Sequence, residues 1–118
     1  MGNNEELLKL IIEGLLERKA KEVVNIDLGR LDYAACDNFI ICHGDSVTQV
    51  RALADSVEEK LEENLRLRVN HREGTENARW ILLDYGIAVV HVFLKEARDY
   101  YKLEDLWGDA EITMIHEE

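Results

Sequence analysis

The chain has 118 residues, 47% of them apolar and 33% charged, with 25 Asp and Glu against 14 Lys and Arg and a formal net charge of −11. That length suits one compact, soluble domain and is too short for two, and no run approaches the roughly 18 unbroken apolar residues of a membrane span. So acidic a chain is a poor match for nucleic acid, whose phosphates are bound largely by Lys and Arg; the same field favours encounter with a basic protein surface, or serves solubility alone.

The start, Met1-Gly2-Asn3-Asn4-Glu5-Glu6, is acidic where a secretory signal would be basic, which predicts a cytoplasmic or matrix-like location. From Asn4 to Lys19, Leu7, Leu8, Ile11, Ile12, Leu15 and Leu16 recur at helical spacing and predict an amphipathic helix ending near Glu22. Val23–Leu28 and Asn38–Cys42 are β-branched or aromatic runs, expected as two strands joined by the polar loop Gly29–Asp37. Gly44-Asp45-Ser46 breaks the pattern. Ser46, with Gln49 three positions on, has the form of a capping box that opens a second helix running to about Asn64. Its stripe of Val47, Val50, Leu53, Ala54, Val57 and Leu61 must dock on a sheet.

Leu67, Val69 and His71 alternate with Arg66, Arg68, Asn70 and Arg72, so a third strand is expected at an exposed edge. Trp80–Leu83 and Ile87–Leu94 are more apolar and should be the central strands, joined through Asp84-Tyr85-Gly86 with Gly86 left-handed. Lys95–Tyr101 reads as a short helix; Leu103, Leu106 and Trp107 follow, then Gly108 and a mostly acidic tail with one small apolar group, Ile112, Met114 and Ile115. This order predicts a single α/β domain over residues 1–118, with helices packed on a mixed sheet of about five strands.

Four His and two Cys fall into no CxxC or HxxxH spacing, so no metal site is predicted and Cys36 and Cys42 should be free thiols. His91, within an apolar run, reads as a hydrogen-bonded histidine on a sheet face. A turn such as Gly44-Asp45-Ser46 before a helix can cradle phosphate. Nucleotidyltransferases, however, follow such a turn with two carboxylates one residue apart on the next strand, to hold metal. Here that stretch, Leu65 to Arg72, offers Arg66 and Arg68, or Leu67 and Val69. The turn is therefore read as a helix cap. An enzyme would have to recruit acids from elsewhere, such as Asp27, Asp37 or Asp84, and Gly-Asp-Ser lacks the second glycine of a nucleophile elbow.

Trp80, Tyr85, Tyr100, Tyr101 and Trp107 crowd the second half, against Tyr33 and a core-like Phe39 in the first. Trp and Tyr supply large contact area with a polar tip, so the cluster predicts a protein-binding surface, with Trp107 equally suited to a core. The same surface could pair with a second copy as a homodimer.

Five pieces resemble the Iojap or ribosomal silencing factor (RsfS) family, most strongly over residues 23–110. They are Asp37-Asn38-Phe39-Ile40-Ile41-Cys42-His43-Gly44-Asp45-Ser46 with Gln49-Val50; Glu73-Gly74; Trp80-Ile81-Leu82-Leu83-Asp84-Tyr85-Gly86; Val90-His91-Val92-Phe93; and Arg98-Asp99-Tyr100-Tyr101-Lys102-Leu103-Glu104-Asp105-Leu106-Trp107-Gly108. Cys36, Asn38 and Asp45 replace the family's usual Thr, aromatic and Thr. The resemblance implies a nucleotidyltransferase-like fold without transferase activity or cofactor. It also implies binding to the large ribosomal subunit through large-subunit ribosomal protein fourteen, which would block joining of the small subunit, repress translation when nutrients are short, and fit a role in late large-subunit maturation. The implied contact residues are Trp80, Asp84, Tyr85, His91, Tyr100, Tyr101, Leu103 and Trp107.

Overall fold

Apolar spacing decides where the helices lie in the computed structural model, which describes residues 2–29, 36–108 and 110–115. Helix α1 (Gly2–Glu17) buries Leu7, Ile11 and Leu15, and α2 (Val47–Leu65) buries Val50, Leu53, Ala54, Val57 and Leu61. Both pack on one face of a sheet, against Ile40, Cys42, Ile81, Leu83, Val90 and Val92. The helices touch at Gly14, where an added Cβ would lie 3.3 Å from the Ser56 carbonyl oxygen, and Ser56 Oγ donates back to the Gly14 carbonyl at 2.7 Å. A side chain at this position would press on the α2 backbone more tightly than an ordinary contact, so glycine suits the close approach.

The sheet has six strands, β1 (Lys21–Asp27), β2 (Asn38–Gly44), β3 (His71–Glu73), β4 (Trp80–Asp84), β5 (Ala88–Leu94) and β6 (Glu111–Met114), in the order β3-β4-β5-β2-β1-β6. Among the described residues only β2 and β5 pair in parallel. They form the centre and are the most continuously buried strands, as strands covered on both faces must be. After β5 the chain enters α3 (Lys95–Tyr101), turns at Lys102 with φ +49°, and forms a 3-10 helix (Leu103–Trp107). Among the described residues no helix is long and apolar enough to cross a membrane.

The α/β expectation with a mixed sheet holds, with five local differences. The tail adds a sixth strand, β6, which pairs with β1. Of the two strands expected at the centre, β5 is there, whereas β4 lies next to the edge and β2 takes the other central place. The third strand is at the edge as expected, and Leu67 and Val69 are half-buried between exposed neighbours, but only His71–Glu73 joins the ladder. Helix α1 stops at Glu17 because Lys19 is left-handed and Ala20 N–H returns to the Leu15 carbonyl, freeing Lys21 to start β1. Ser46 caps α2 by accepting from Gln49 N–H at 3.1 Å, but the Gln49 side chain accepts from Asp45 N–H rather than from Ser46, and its NH2 donates to the Arg18 and Lys19 carbonyls. The hairpin turns as predicted, with Gly86 at φ +88°. Most of the Gly29–Asp37 loop, including Tyr33, lies outside the described residues.

Candidate functional site: an aromatic sheet face

Side chains alternate along a strand. With Ile81, Leu83, Val90 and Val92 taken by the helical face, Trp80, Leu82 and Asp84 of β4, Val89, His91 and Phe93 of β5, and Phe39 and Ile41 of β2 must point to the other face. That face is only partly covered. Ala97 of α3 and Leu103 of the 3-10 helix close a second, smaller core over Val24, Ile26, Leu28, Ile41 and Phe93. Trp80, Phe39, Leu82 and Val89 remain half-buried beside it.

The rings there form one connected run. Tyr100 meets Tyr101 edge-on at 5.0 Å, and Tyr101 lies 5.0 Å from Trp80. Trp80 stacks on Phe93 at 4.8 Å and reaches His91 at 5.9 Å. Phe39 then meets His91 at 4.7 Å and Trp107 at 5.4 Å, both edge-on. Tyr100 is 80% exposed, Tyr101 50% and Leu106 72%, so the run begins in the interior and ends in solvent.

A hydrogen bond fixes its middle. Trp80 Nε1 donates to His91 Nδ1 at 3.0 Å, which assigns the His91 proton to Nε2, a buried atom with no hydrogen-bond partner among the described residues. Burial pushes the His91 pKa down to about 4, so the ring is neutral near pH 7.

Of the residues implied as contacts, Trp80, His91, Tyr100, Tyr101 and Trp107 come together here. Leu103 is buried beneath them in the smaller core. Asp84 ends β4 on the same face, and its Oδ1 accepts from Gly86 N–H at 2.8 Å, fixing the turn. Tyr85 goes to the opposite side, buried in the helix-side core, where burial raises its hydroxyl pKa. Sequence reasoning missed Phe39, whose apolar neighbours read as core; strand parity with Ile41 would have placed it on this face.

Beside the run lies a polar cleft of about 380 Å³ lined by Glu22, His43, Arg98 and Glu104, among others. Arg98 is itself only 6% exposed. Its Nη1 donates to the Glu22 carbonyl at 2.8 Å and to His43 Nδ1 at 3.0 Å, and its Nη2 donates to Glu104 Oε2 at 2.7 Å.

The Gly44-Asp45-Ser46 turn is occupied by its own chain: the Gln49 side chain takes Asp45 N–H, and Ser46 Oγ takes Gln49 N–H. Asp27 pairs in register with Asn38, and Asp84 with Val89, so with Asp37 these acids lie at the opposite end of β2 from the turn. Seven residues of strand put that end roughly 20 Å from the turn. Among the described residues no three His, Cys, Asp or Glu side chains converge as metal ligands. Both cysteines are free, and burial pushes the Cys42 thiol up to about 12.

A family model described as "Ribosomal silencing factor during starvation" matches residues 2–118. A protein of Halalkalibacterium halodurans named ribosomal silencing factor RsfS is 44% identical over 108 residues, covering 92% of this chain and 91% of its own. A crystal structure of a Chromobacterium violaceum protein matches with a TM-score of 0.83 at 39% identity, over 96% of this chain and 92% of that one. A Mus musculus protein named for mitochondrial assembly of the ribosomal large subunit is 26% identical over 103 residues, 85% of this chain and 44% of its own length.

Proposed function

The chain belongs to the ribosomal silencing factor family, and from that membership we propose that residues 1–118 form one domain that binds the large ribosomal subunit through large-subunit ribosomal protein fourteen. Bound there, it blocks joining of the small subunit and represses translation in the cytoplasm; the same occupancy suits a role in large-subunit maturation, and the mouse relative is named for assembly of that subunit in mitochondria. The observation that carries this reading is the run of rings from Tyr100 through Trp80 to Trp107, half-buried at its centre and exposed at Tyr100 and Tyr101. A lone domain has no reason to keep so much aromatic surface in water, and Trp and Tyr are the residues that most often dominate binding energy. Titration calorimetry against the isolated ribosomal protein tests it: a saturable isotherm is expected, and its absence would remove the partner.

Charge supplies the encounter. A chain of net charge −11 is attracted to a basic ribosomal protein and repelled by the surrounding RNA. The association rate is therefore expected to fall about tenfold or more between roughly 50 and 300 mM salt, with little change in dissociation. A rate indifferent to salt in stopped-flow mixing would remove steering from the account.

No catalytic step belongs to this function. With the Asp45 and Gln49 N–H groups bonded within the turn and the acids at the far end of β2, Mg²⁺ with a nucleoside triphosphate at millimolar concentration is expected to leave the melting temperature unchanged. A ligand at a hundred times its Kd would add about 2.7 kcal/mol, a shift of several degrees, and would restore the enzyme reading.

A further inference from the structure

The aromatic run depends on how one short segment is oriented against the sheet. The 3-10 helix Leu103–Trp107 has no side-chain cap and begins at the left-handed Lys102. Yet it carries Trp107, whose edge contact on Phe39 completes the run, and Leu103, which closes the smaller core. Apolar packing of Leu103 and Trp107 on the smaller core holds the five-residue helix down but, being non-directional, leaves its orientation to polar contacts.

We propose that Arg98 is a positioning residue for the binding surface, a buried latch that fixes the 3-10 helix against the sheet without touching the partner. The inference rests on the function proposed above. Arg98 belongs to α3, but its guanidinium reaches two other parts of the fold at once. On the sheet side Nη1 donates to the Lys21 and Glu22 carbonyls at 3.4 and 2.8 Å and to His43 Nδ1 at 3.0 Å. Those carbonyls point at it because β1 slips register between Lys21 and Val24, with Glu22 at φ +48°. On the other side Nε and Nη2 both donate to Glu104 Oε2, at 3.3 and 2.7 Å, and Glu104 is the second residue of the 3-10 helix. A planar fork with donors in fixed directions converts these contacts into an orientation, which the single point charge of a lysine would not. The side chain is 7% exposed, so it offers a partner almost nothing directly.

The latch can be opened from its outer end. Glu104→Ala removes the 3-10 anchor and leaves the bonds of Arg98 to the sheet in place, whereas Glu104→Gln keeps an oxygen acceptor and removes the charge. Two readouts are combined. In a Trp80→Phe background Trp107 is the only tryptophan, and acrylamide quenching of its fluorescence reports the position of the 3-10 helix. In the otherwise wild-type chain, affinity for purified large subunits reports the surface. Glu104→Ala is expected to raise the quenching constant two- to threefold and weaken binding about tenfold, with an unchanged far-ultraviolet spectrum. Glu104→Gln should stay within about threefold of wild type in binding, which separates orientation from a direct charge contact with a basic partner. Unchanged quenching in Glu104→Ala would overturn the latch, and raised quenching with wild-type affinity would overturn its role in binding. If the wild-type chain failed to bind large subunits, the proposed function and the binding half of this inference would fall together, while the quenching result would still decide whether the latch exists.

Discussion

Trp80→Ala is expected to weaken binding to the large ribosomal subunit a hundredfold or more while the chain stays folded. Trp80 lies at the middle of the ring run, touching Tyr101, His91 and Phe93, so its removal separates the exposed tyrosines from Phe39 and Trp107. Truncating a central tryptophan in an interface costs about 2–4 kcal/mol, and about 2.7 kcal/mol is a factor of a hundred in affinity. The ring is half-buried on the less covered face, so the larger core beneath α1 and α2 is untouched. Trp80→Phe isolates the Nε1–H, because it keeps a ring for the stacking contacts and deletes the bond to His91; its expected loss is about tenfold. Val50→Ala, in the helix-side core, supplies the control: it lowers stability through a cavity and should leave affinity within twofold. Sedimentation of each variant with large subunits reads these differences. Wild-type affinity in a folded Trp80→Ala chain would place the contact elsewhere.

The second large effect is on stability against pH. His91 is buried and its pKa in the folded chain is pushed down to about 4, while an unfolded histidine titrates near 6.5. Between those values the unfolded chain binds a proton that the folded chain refuses, so stability is complete above about pH 6.5 and is lost as pH falls toward about 4. From about pH 7.5 to about pH 5 this one group should remove about 2 kcal/mol, at 1.36 kcal/mol per unit. His43, whose pKa is also lowered by burial and by the Arg98 guanidinium, adds a loss of the same sign. Urea unfolding at a series of pH values measures it. His91→Gln, whatever its stability at pH 7.5, should show a shallower slope between pH 6.5 and 5, and a slope equal to wild type would mean that His91 is not the buried neutral group described.

The parts of this fold that were readable from the chain are those written in local periodicity. The stripes of α1 and α2, the Ser46 cap and the Gly86 turn each depend on residues within a few positions of one another. Strand β6 was not readable, because Ile112 and Met114 are exposed and its ladder partner β1 lies more than 80 residues away in the sequence. The candidate site divides along the same line. Aromatic composition pointed to Trp80, Tyr101 and Trp107, but Tyr85, from the same sequence motif as Trp80, turns into the helix-side core, since five positions along a strand and its turn reverse the face. Phe39 was hidden among apolar neighbours. Arg98 lay in a stretch read only as a short helix; that its guanidinium is buried against two β1 carbonyls and His43 is a tertiary fact with no local signature.

The most direct test is a subunit-joining assay. Purified large subunits are incubated with the chain, small subunits are added at millimolar Mg²⁺, and the products are resolved on a sucrose gradient. The chain is expected to travel with the large subunit and joined ribosomes to decline in proportion, with Trp80→Ala restoring them. Joined ribosomes at full yield with the chain still bound, or a chain left at the top of the gradient, would contradict it.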